Sequence, residues 1–304
     1  MRASAQKSFF SEEVGNGYPR EVQAKAPPIK SQGIKTKLVP TILRSFRWDG
    51  NGTWVEPFVG SGAVAFNSGA KNVLAADTNR HLIRFYKAVQ DRTLDKRGTR
   101  TFLESEGARL EQTGEDHYYA IRDRFNKHGD PLDFLFLSRS CFNGMIRFNA
   151  KGGYNVPFCR KPNRFRPALI TKIVNQVEWL EGVIREANYL FLVQDWRETL
   201  NNARANDLIY VDPPYVGRHT DYFNSWDEEE ADALAQKLQS CPSRYVYSMW
   251  YKNQYRENEH LKRWFADHKL VLVTHFYHVG ATEDLRNEME EAIVVSPNAA
   301  LTSS

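Results

Sequence analysis

Short apolar runs bounded by turn-forming residues recur along the chain. They predict strands near 53–58 (TWVEPF), 72–76 (NVLAA), 189–194 (YLFLVQ), 207–211, 244–249 (RYVYSM), 270–276 and 290–295. Helical periodicity fills several gaps between them. Residues 79–91 put Leu82, Ile83, Tyr86 and Val89 on one face, with Thr78 or Asn79 as cap. Residues 228–239 form another helix, entered through the acids Asp227 to Glu230, which suit the positive end of a helix dipole. Alternating strands and helices predict an α/β fold whose mostly parallel sheet is covered on both faces. The last two strands, separated by the loop 277–288, read as an antiparallel pair at one edge.

Residues 93–187 break this rhythm. Helical patterns at 101–112, 116–127 and 130–141 come first, and a strongly periodic helix from Ala168 to Arg185 closes the segment. The expected organisation is a loose tail over 1–24, a catalytic α/β domain built from 25–92 and 188–298, and an inserted, mainly helical subdomain over 93–187. The final stretch, SPNAALTSS, reads as a second loose tail.

Charge changes the picture more than composition does. Net charge is +4, yet the stretch from Arg139 to Lys172 holds eight Lys or Arg and no acid. Phe142, Phe148, Tyr154, Phe158 and Phe165 are threaded through it. A basic, aromatic-laced segment is the electrostatic footprint of a nucleic-acid contact, although a solvated loop has the same composition. The three cysteines include no C-x-x-C pair, which argues against a disulfide framework or thiolate metal site and fits a reducing cytosol. No apolar h-region or membrane-length apolar run is seen, so a cytoplasmic location is expected. His275 and His278 would face opposite sides of an extended strand, and no metal is expected.

Two stretches carry candidate chemistry. In VEPFVGSGAVAFN (55–67), Gly60 and Gly62 sit where a strand would turn into a helix, allowing close backbone approach to a ligand. The G-x-G lacks a third glycine, so a purely structural turn stays open. Asp77 follows Gly60 by 17 residues, near the spacing at which an acid meets a ribose hydroxyl. These features suggest an adenosine-containing ligand, and the missing G-x-x-x-x-G-K-[ST] excludes a P-loop.

The other stretch is IYVDPPY (209–215), a strand that ends in Asp212, Pro213, Pro214 and Tyr215. The lone pair of an exocyclic base amine is delocalised into the ring. A carboxylate accepting one N–H and a backbone carbonyl accepting the other would pull that nitrogen toward sp³ geometry. Tyr215 would stack on the base, and the prolines would hold the acceptors rigidly without competing donors. The bland alternative is a surface turn.

EPFVGSGAVAFN followed downstream by DPPY resembles the DNA adenine-N6 methyltransferases, with the motif order of the alpha (Dam-like) class. PPIKSQGIKTKLVP, DFLFLSRSCFNGMIRFN, NVPFCRKPNRF and DPPYVGRHTDYFNSW are especially similar to the EcoRV-type modification methyltransferases. The resemblance covers about residues 27 to 295. It implies a Rossmann-like seven-stranded fold that uses S-adenosylmethionine on double-stranded DNA, a flipped target base, and a GAT-containing site such as GATATC. It further implies a monomer of bacterial or phage origin, paired functionally with a restriction endonuclease or serving DNA protection.

Residue by residue, the resemblance assigns Lys35, and more weakly Lys30, to the cofactor's methionine carboxylate. Glu56, Phe58, Gly60 and Gly62 form the methionine-side wall, Asp77 meets the ribose, and Asp195 and Trp196 meet the adenine. Core packing is the alternative for Trp196. Arg147 would read a guanine, Phe142 and Asn143 would contact the space left by the flipped base, and Met145 would reach a thymine methyl. Lys151, Arg160, Lys161 and Arg164 would position phosphates, with Arg218 and His219 as further DNA contacts. Ser31 and Met145 depart from the family's usual aromatic and leucine. Cytosine-N4 methylation and a non-catalytic DNA-binding relative stay open as alternatives.

Overall fold

The computed structural model describes residues 23–30, 33–215, 226–252, 257–276 and 288–300, with backbone alone at 275, 276, 288 and 289. Arg218, His219, His278 and nearly all of the expected N-terminal tail lie outside the described residues.

Seven strands form one sheet: β1 (Trp54–Glu56), β2 (Asn72–Asp77), β3 (Asn188–Val193), β4 (Leu208–Val211), β5 (Arg244–Lys252), β6 (Lys269–Phe276) and β7 (Glu288–Val295). Their order is β3-β2-β1-β4-β5-β7-β6. The first five run parallel, and β7 lies antiparallel between β5 and β6. The expected Rossmann-like architecture is therefore present, with its antiparallel pair at one edge. β4 is buried at all of its positions, as a central parallel strand must be, whereas edge strand β3 alternates exposed and buried residues. β1 is shorter than its apolar run because Pro57 cannot continue the ladder.

The helices follow their sequence signals. In α2 (Arg80–Gln90), Asn79 caps the first turn by accepting from the His81 and Leu82 amides, and Leu82, Ile83, Tyr86 and Val89 are buried. In α8 (Glu228–Ser240), Asp227 accepts from the Glu230 amide. Three short helices were not anticipated: α1 (Val39–Arg44), α7 (Trp196–Asn201) and α9 (Glu259–Phe265). One or two turns carry too little periodicity to stand out.

The insertion consists of α3 (Lys96–Thr113), α4 (Glu115–His128), α5 (Pro131–Ser140), a basic hairpin and α6 (Pro167–Glu186). It shares the apolar core on one face of the sheet, which runs without a break from Val73 and Leu82 through Phe125 and Phe134 to Ile173 and Leu180. His81 on α2 stacks on Phe148 of the hairpin at 5.1 Å and 8°. Burial, and then Arg80 and Arg84, hold its pKa down at about 4, so the ring packs as neutral imidazole. Residues 296–300 are pinned, contrary to expectation, and the rest of that expected tail lies outside the described residues. Ser296 accepts the Tyr245 amide, the Arg47 amide donates to Ala299, and Ala299 is buried.

Arg124 ties three insertion helices together. Its Nε and Nη2 donate to the Asp133 carboxylate at 2.9 and 2.5 Å, and its Nη1 donates to Glu106 at 3.1 Å. Asp133 is 1% exposed, so removing its partner strands a charge. Arg124→Met should cost about 2–4 kcal/mol, at the discounted end for a half-exposed guanidinium. Urea unfolding would measure this, and an unchanged midpoint would deny the network a structural role.

Candidate active site

The sheet order reverses between β1 and β4, and such a switch point leaves a crevice beyond the carboxyl ends of the two strands. The sequence motifs converge there. After β1, Val59 donates to Ala76, Gly60 and Gly62 take φ of 47° and 69°, and the chain turns into a single 3-10 turn over Ala65–Asn67. At Gly62 a Cβ would overlap the Phe66 ring; at Gly60 it would point into open space. Gly62 is thus required by packing, and Gly60 leaves a free approach to its backbone.

Asp77, at the end of β2, accepts from the Gly60 amide at 2.9 Å and the Asn79 amide at 2.8 Å. Burial raises its pKa, opposed by those two amides. Each carboxylate oxygen keeps further acceptor capacity. Glu56 is 1% exposed and accepts from Trp54 Nε1 at 2.8 Å. Burial drives its pKa well above the carboxylate range, helped by the neighbouring charge of Asp212. The open approach at Gly60, beside Asp77, fits a ligand that carries a hydroxylated ring.

Asp212 directly follows β4. Lys35, itself 5% exposed, places Nζ 2.9 Å from Asp212 Oδ1, donates to Tyr215 Oη at 3.1 Å and to the Gly33 carbonyl at 3.2 Å, and lies 4.0 Å from Glu291 Oε2. Burial pushes the Asp212 pKa up to about 6; Lys35 pulls against that shift, and Glu291 adds to it. Lys35 is therefore engaged with Asp212 and Tyr215, where the resemblance alone gave it a cofactor carboxylate. Glu291, 0% exposed on β7, was missed by the sequence reading. Its one signal was an acid sharing the inward face of MEEAIVV with Ile293 and Val295. A cavity of about 240 Å³ adjoins the corner, lined in part by Pro213, Pro214, Tyr215, Trp226, Trp250 and His260. A more open hollow of about 590 Å³ lies at the start of α3 and shares none of these residues.

Other candidates sort differently. Phe58 packs edge-on against Trp226 at 5.4 Å. Trp196 is 4% exposed in the core under α8, bonds Glu230 through its indole N–H at 3.3 Å, and carries the Arg197 guanidinium over its ring at 4.4 Å. The indole is thereby committed to packing. Asp195 caps α7 through the Arg197 amide at 2.9 Å. Lys30 lies with its methylenes over Gly144, half-buried among Arg164, Cys141 and Arg139, so it belongs to the hairpin rather than to the Asp212 cluster.

The basic segment does form a hairpin. Antiparallel bridges join Cys141 to Phe158 and Phe148 to Tyr154, and the Asn149 amide donates to Gly153 across the turn. Phe142 is 46% exposed at its base, beside Asn143 in the left-handed region with φ 53°. Met145 is partly buried. Arg147 is held by Asn155, its Nε donating to Oδ1 at 2.8 Å. Lys151, Arg160 and Lys161 are exposed. Arg164 instead braces the base of the hairpin, donating to the Arg139 carbonyl at 2.7 Å. Arg139 is buried and donates to the carbonyls of Pro27 and Pro28 and to Gln176.

The sequence profile of the D12 class N6 adenine-specific DNA methyltransferases matches residues 31–279. A DNA adenine methylase of Serratia marcescens is 32% identical over 224 residues, covering 69% of this chain and 77% of its own. The DNA adenine methylase of Escherichia coli strain K12 is 29% identical over 204 residues, covering 63% and 68%. The type II methyltransferase M.FokI of Planomicrobium okeanokoites is 28% identical over 279 residues, 88% of this chain but 42% of that longer protein. Among the described residues no helix is long and apolar enough to cross a membrane. With a glycine turn at the switch point, DPPY at the end of β4 and a basic hairpin on an insertion, the chain belongs to the D12 class N6 adenine-specific DNA methyltransferase family.

Proposed function

We propose that this adenine-N6 DNA methyltransferase uses S-adenosylmethionine to methylate an adenine flipped out of duplex DNA at a specific sequence. The observation that carries this reading is the Lys35–Asp212–Tyr215 cluster, set at the same sheet edge as the Gly60–Asp77 turn. The donor, when bound, supplies a methyl group already activated on a sulfonium. Asp77 takes the ribose hydroxyls, Glu56 faces the donor's ammonium, and Gly60 lets the backbone approach. Asp195 stays the candidate at the adenine end, at the start of α7.

Asp212 accepts one N–H of the target amine, and a backbone carbonyl beside the prolines accepts the other. The nitrogen lone pair is then free to attack. Tyr215 stacks on the base, with the adjoining cavity giving the ring room. The amine becomes more acidic as it is methylated, so Asp212 need not be a strong base. Extrusion of the base follows from the chemistry, because N6 of a paired adenine is held in the stack.

Residues 93–187 serve as the target-recognition unit, 25–92 and 188–298 as the catalytic unit. Arg147 reads a guanine, and the Asn155 tether pre-aims its guanidinium. Phe142 and Asn143 lie toward the vacated stack, Met145 toward a thymine methyl, and Lys151, Arg160 and Lys161 toward phosphates. The protein acts as a monomer in the cytoplasm of a bacterial or phage-infected cell, within restriction-modification or DNA protection.

Asp212→Ala should abolish methyl transfer while donor affinity stays within a few-fold by calorimetry; normal turnover with a radiolabelled methyl donor would remove the assigned role. The ionised carboxylate is the acceptor, and its pKa in the folded protein is about 6. The single-turnover rate should therefore be flat above that value and fall about tenfold per pH unit well below it. A pH-independent rate would count against Asp212. Asp77→Ala should weaken donor binding about tenfold or more, as expected for a lost charge-assisted hydrogen bond; unchanged affinity would move the ribose elsewhere. Arg147→Ala should cost about 1–3 kcal/mol of discrimination at one guanine, read from the methylation profile of sequenced DNA.

A further inference from the structure

We propose that Glu291 is a positioning residue that draws the Lys35 ammonium off Asp212 when the target amine arrives, freeing an Asp212 oxygen to accept the amine's N–H. The proposal rests on the reading of Asp212 as the amine acceptor. Lys35 Nζ lies 2.9 Å from Asp212 Oδ1 and 3.1 Å from Tyr215 Oη. That arrangement opposes transfer in two ways. The ammonium competes for the oxygen the amine needs, and it stands next to a nitrogen that gains positive charge as the methyl is transferred.

A second carboxylate is within reach. Glu291 Oε2 is 4.0 Å from the same ammonium, so a shift of about one ångström brings Lys35 into hydrogen-bond range of it. The fold fixes this geometry. β7 is antiparallel to both neighbours, its register sets Glu291 opposite Trp250 on β5 and Val273 on β6, and the residue shares the inward face with Ile293 and Val295. A carboxylate at 0% exposure on an inner strand is costly unless it answers a charge, and among the described residues Lys35 is a cation that faces both it and Asp212. Only the partner of Lys35 changes.

Among the described residues, the groups facing Asp212 are Lys35 ahead of α1, Glu56 on β1, Tyr210 on β4, Tyr247 on β5, Glu291 on β7 and Tyr215 beside it. Of the carboxylates, Glu291 is the one that raises the Asp212 pKa. Neutralising it therefore has two opposite consequences: the Lys35–Asp212 pair tightens, which slows transfer, while Asp212 ionises at lower pH.

Glu291→Gln is tested in the full-length protein with cognate duplex. The single-turnover rate at pH 8 should fall tenfold or more, and the acid limb of that rate should move to lower pH. Donor affinity by calorimetry and flipping of 2-aminopurine at the target position, read by fluorescence, should stay within about twofold. In a Lys35→Met background, Glu291→Gln should add little further loss, because its effect passes through the lysine. An unchanged rate, an unmoved acid limb or losses that simply add would overturn the proposal. If Glu291→Gln proves insoluble, Glu291→Asp is read in the same assays; a several-fold rate loss is expected, and full activity overturns the idea. If Asp212→Asn kept its activity, the reading of the corner would fall. If Asp212→Asn were inactive but Glu291→Gln were normal, only the role of Glu291 would.

Discussion

One buried ammonium organises the reactive end of this protein. Lys35 reaches from the loop ahead of α1 to carboxylates from two strands, Asp212 after β4 and Glu291 on β7. Burying an acid without a counter-charge costs several kcal/mol, and the cation that offsets this comes from far away in sequence. The pairing ties the N-terminal arm to the ends of β4 and β7. Burial raises the Asp212 pKa to about 6 against the pull of Lys35, so the carboxylate is ionised at neutral pH.

The recognition segment is stabilised on a different principle. Its core is continuous with that of the sheet, and its charges face one another across helices through Arg124 rather than toward the ligand. Within the basic stretch, two arginines serve structure. Arg139 satisfies the carbonyls of Pro27 and Pro28, prolines that can accept but never donate, and Arg164 braces Arg139 from the other side. Burial, followed by Arg164, lowers the Arg139 pKa to about 10, which still leaves it charged at neutral pH. The base of the hairpin is thereby anchored to the arm that carries Lys35.

Most of the fold was legible because strands and long amphipathic helices leave periodic marks. Asn79 and Asp227 announced helix starts through side chains that accept backbone N–H groups; Asp130, which the sequence reading did not single out, caps α5 in the same way ahead of Pro131. The short helices α1, α7 and α9 left no comparable mark. The candidate site was legible where chemistry breaks a local rule: glycines at a strand end, or an acid and two prolines after a core strand. Lys30 and Lys35 were indistinguishable in sequence, five residues apart in one basic arm. Only folding sends one under the hairpin and the other to Asp212. Trp196 could equally be a cofactor wall or core until α8 was seen to pack over it.

The sequence by itself determined the α/β order, the glycine turn, the DPPY corner and the concentration of positive charge, since each is a property of neighbouring residues and local backbone preference. The tertiary structure decided which charges meet. The Lys35–Asp212–Glu291 group joins residues 35, 212 and 291 through the insertion of β7 between β5 and β6. Ionisation in a buried site depends on desolvation and on distances of a few ångströms, and neither is written in the spacing of residues along the chain.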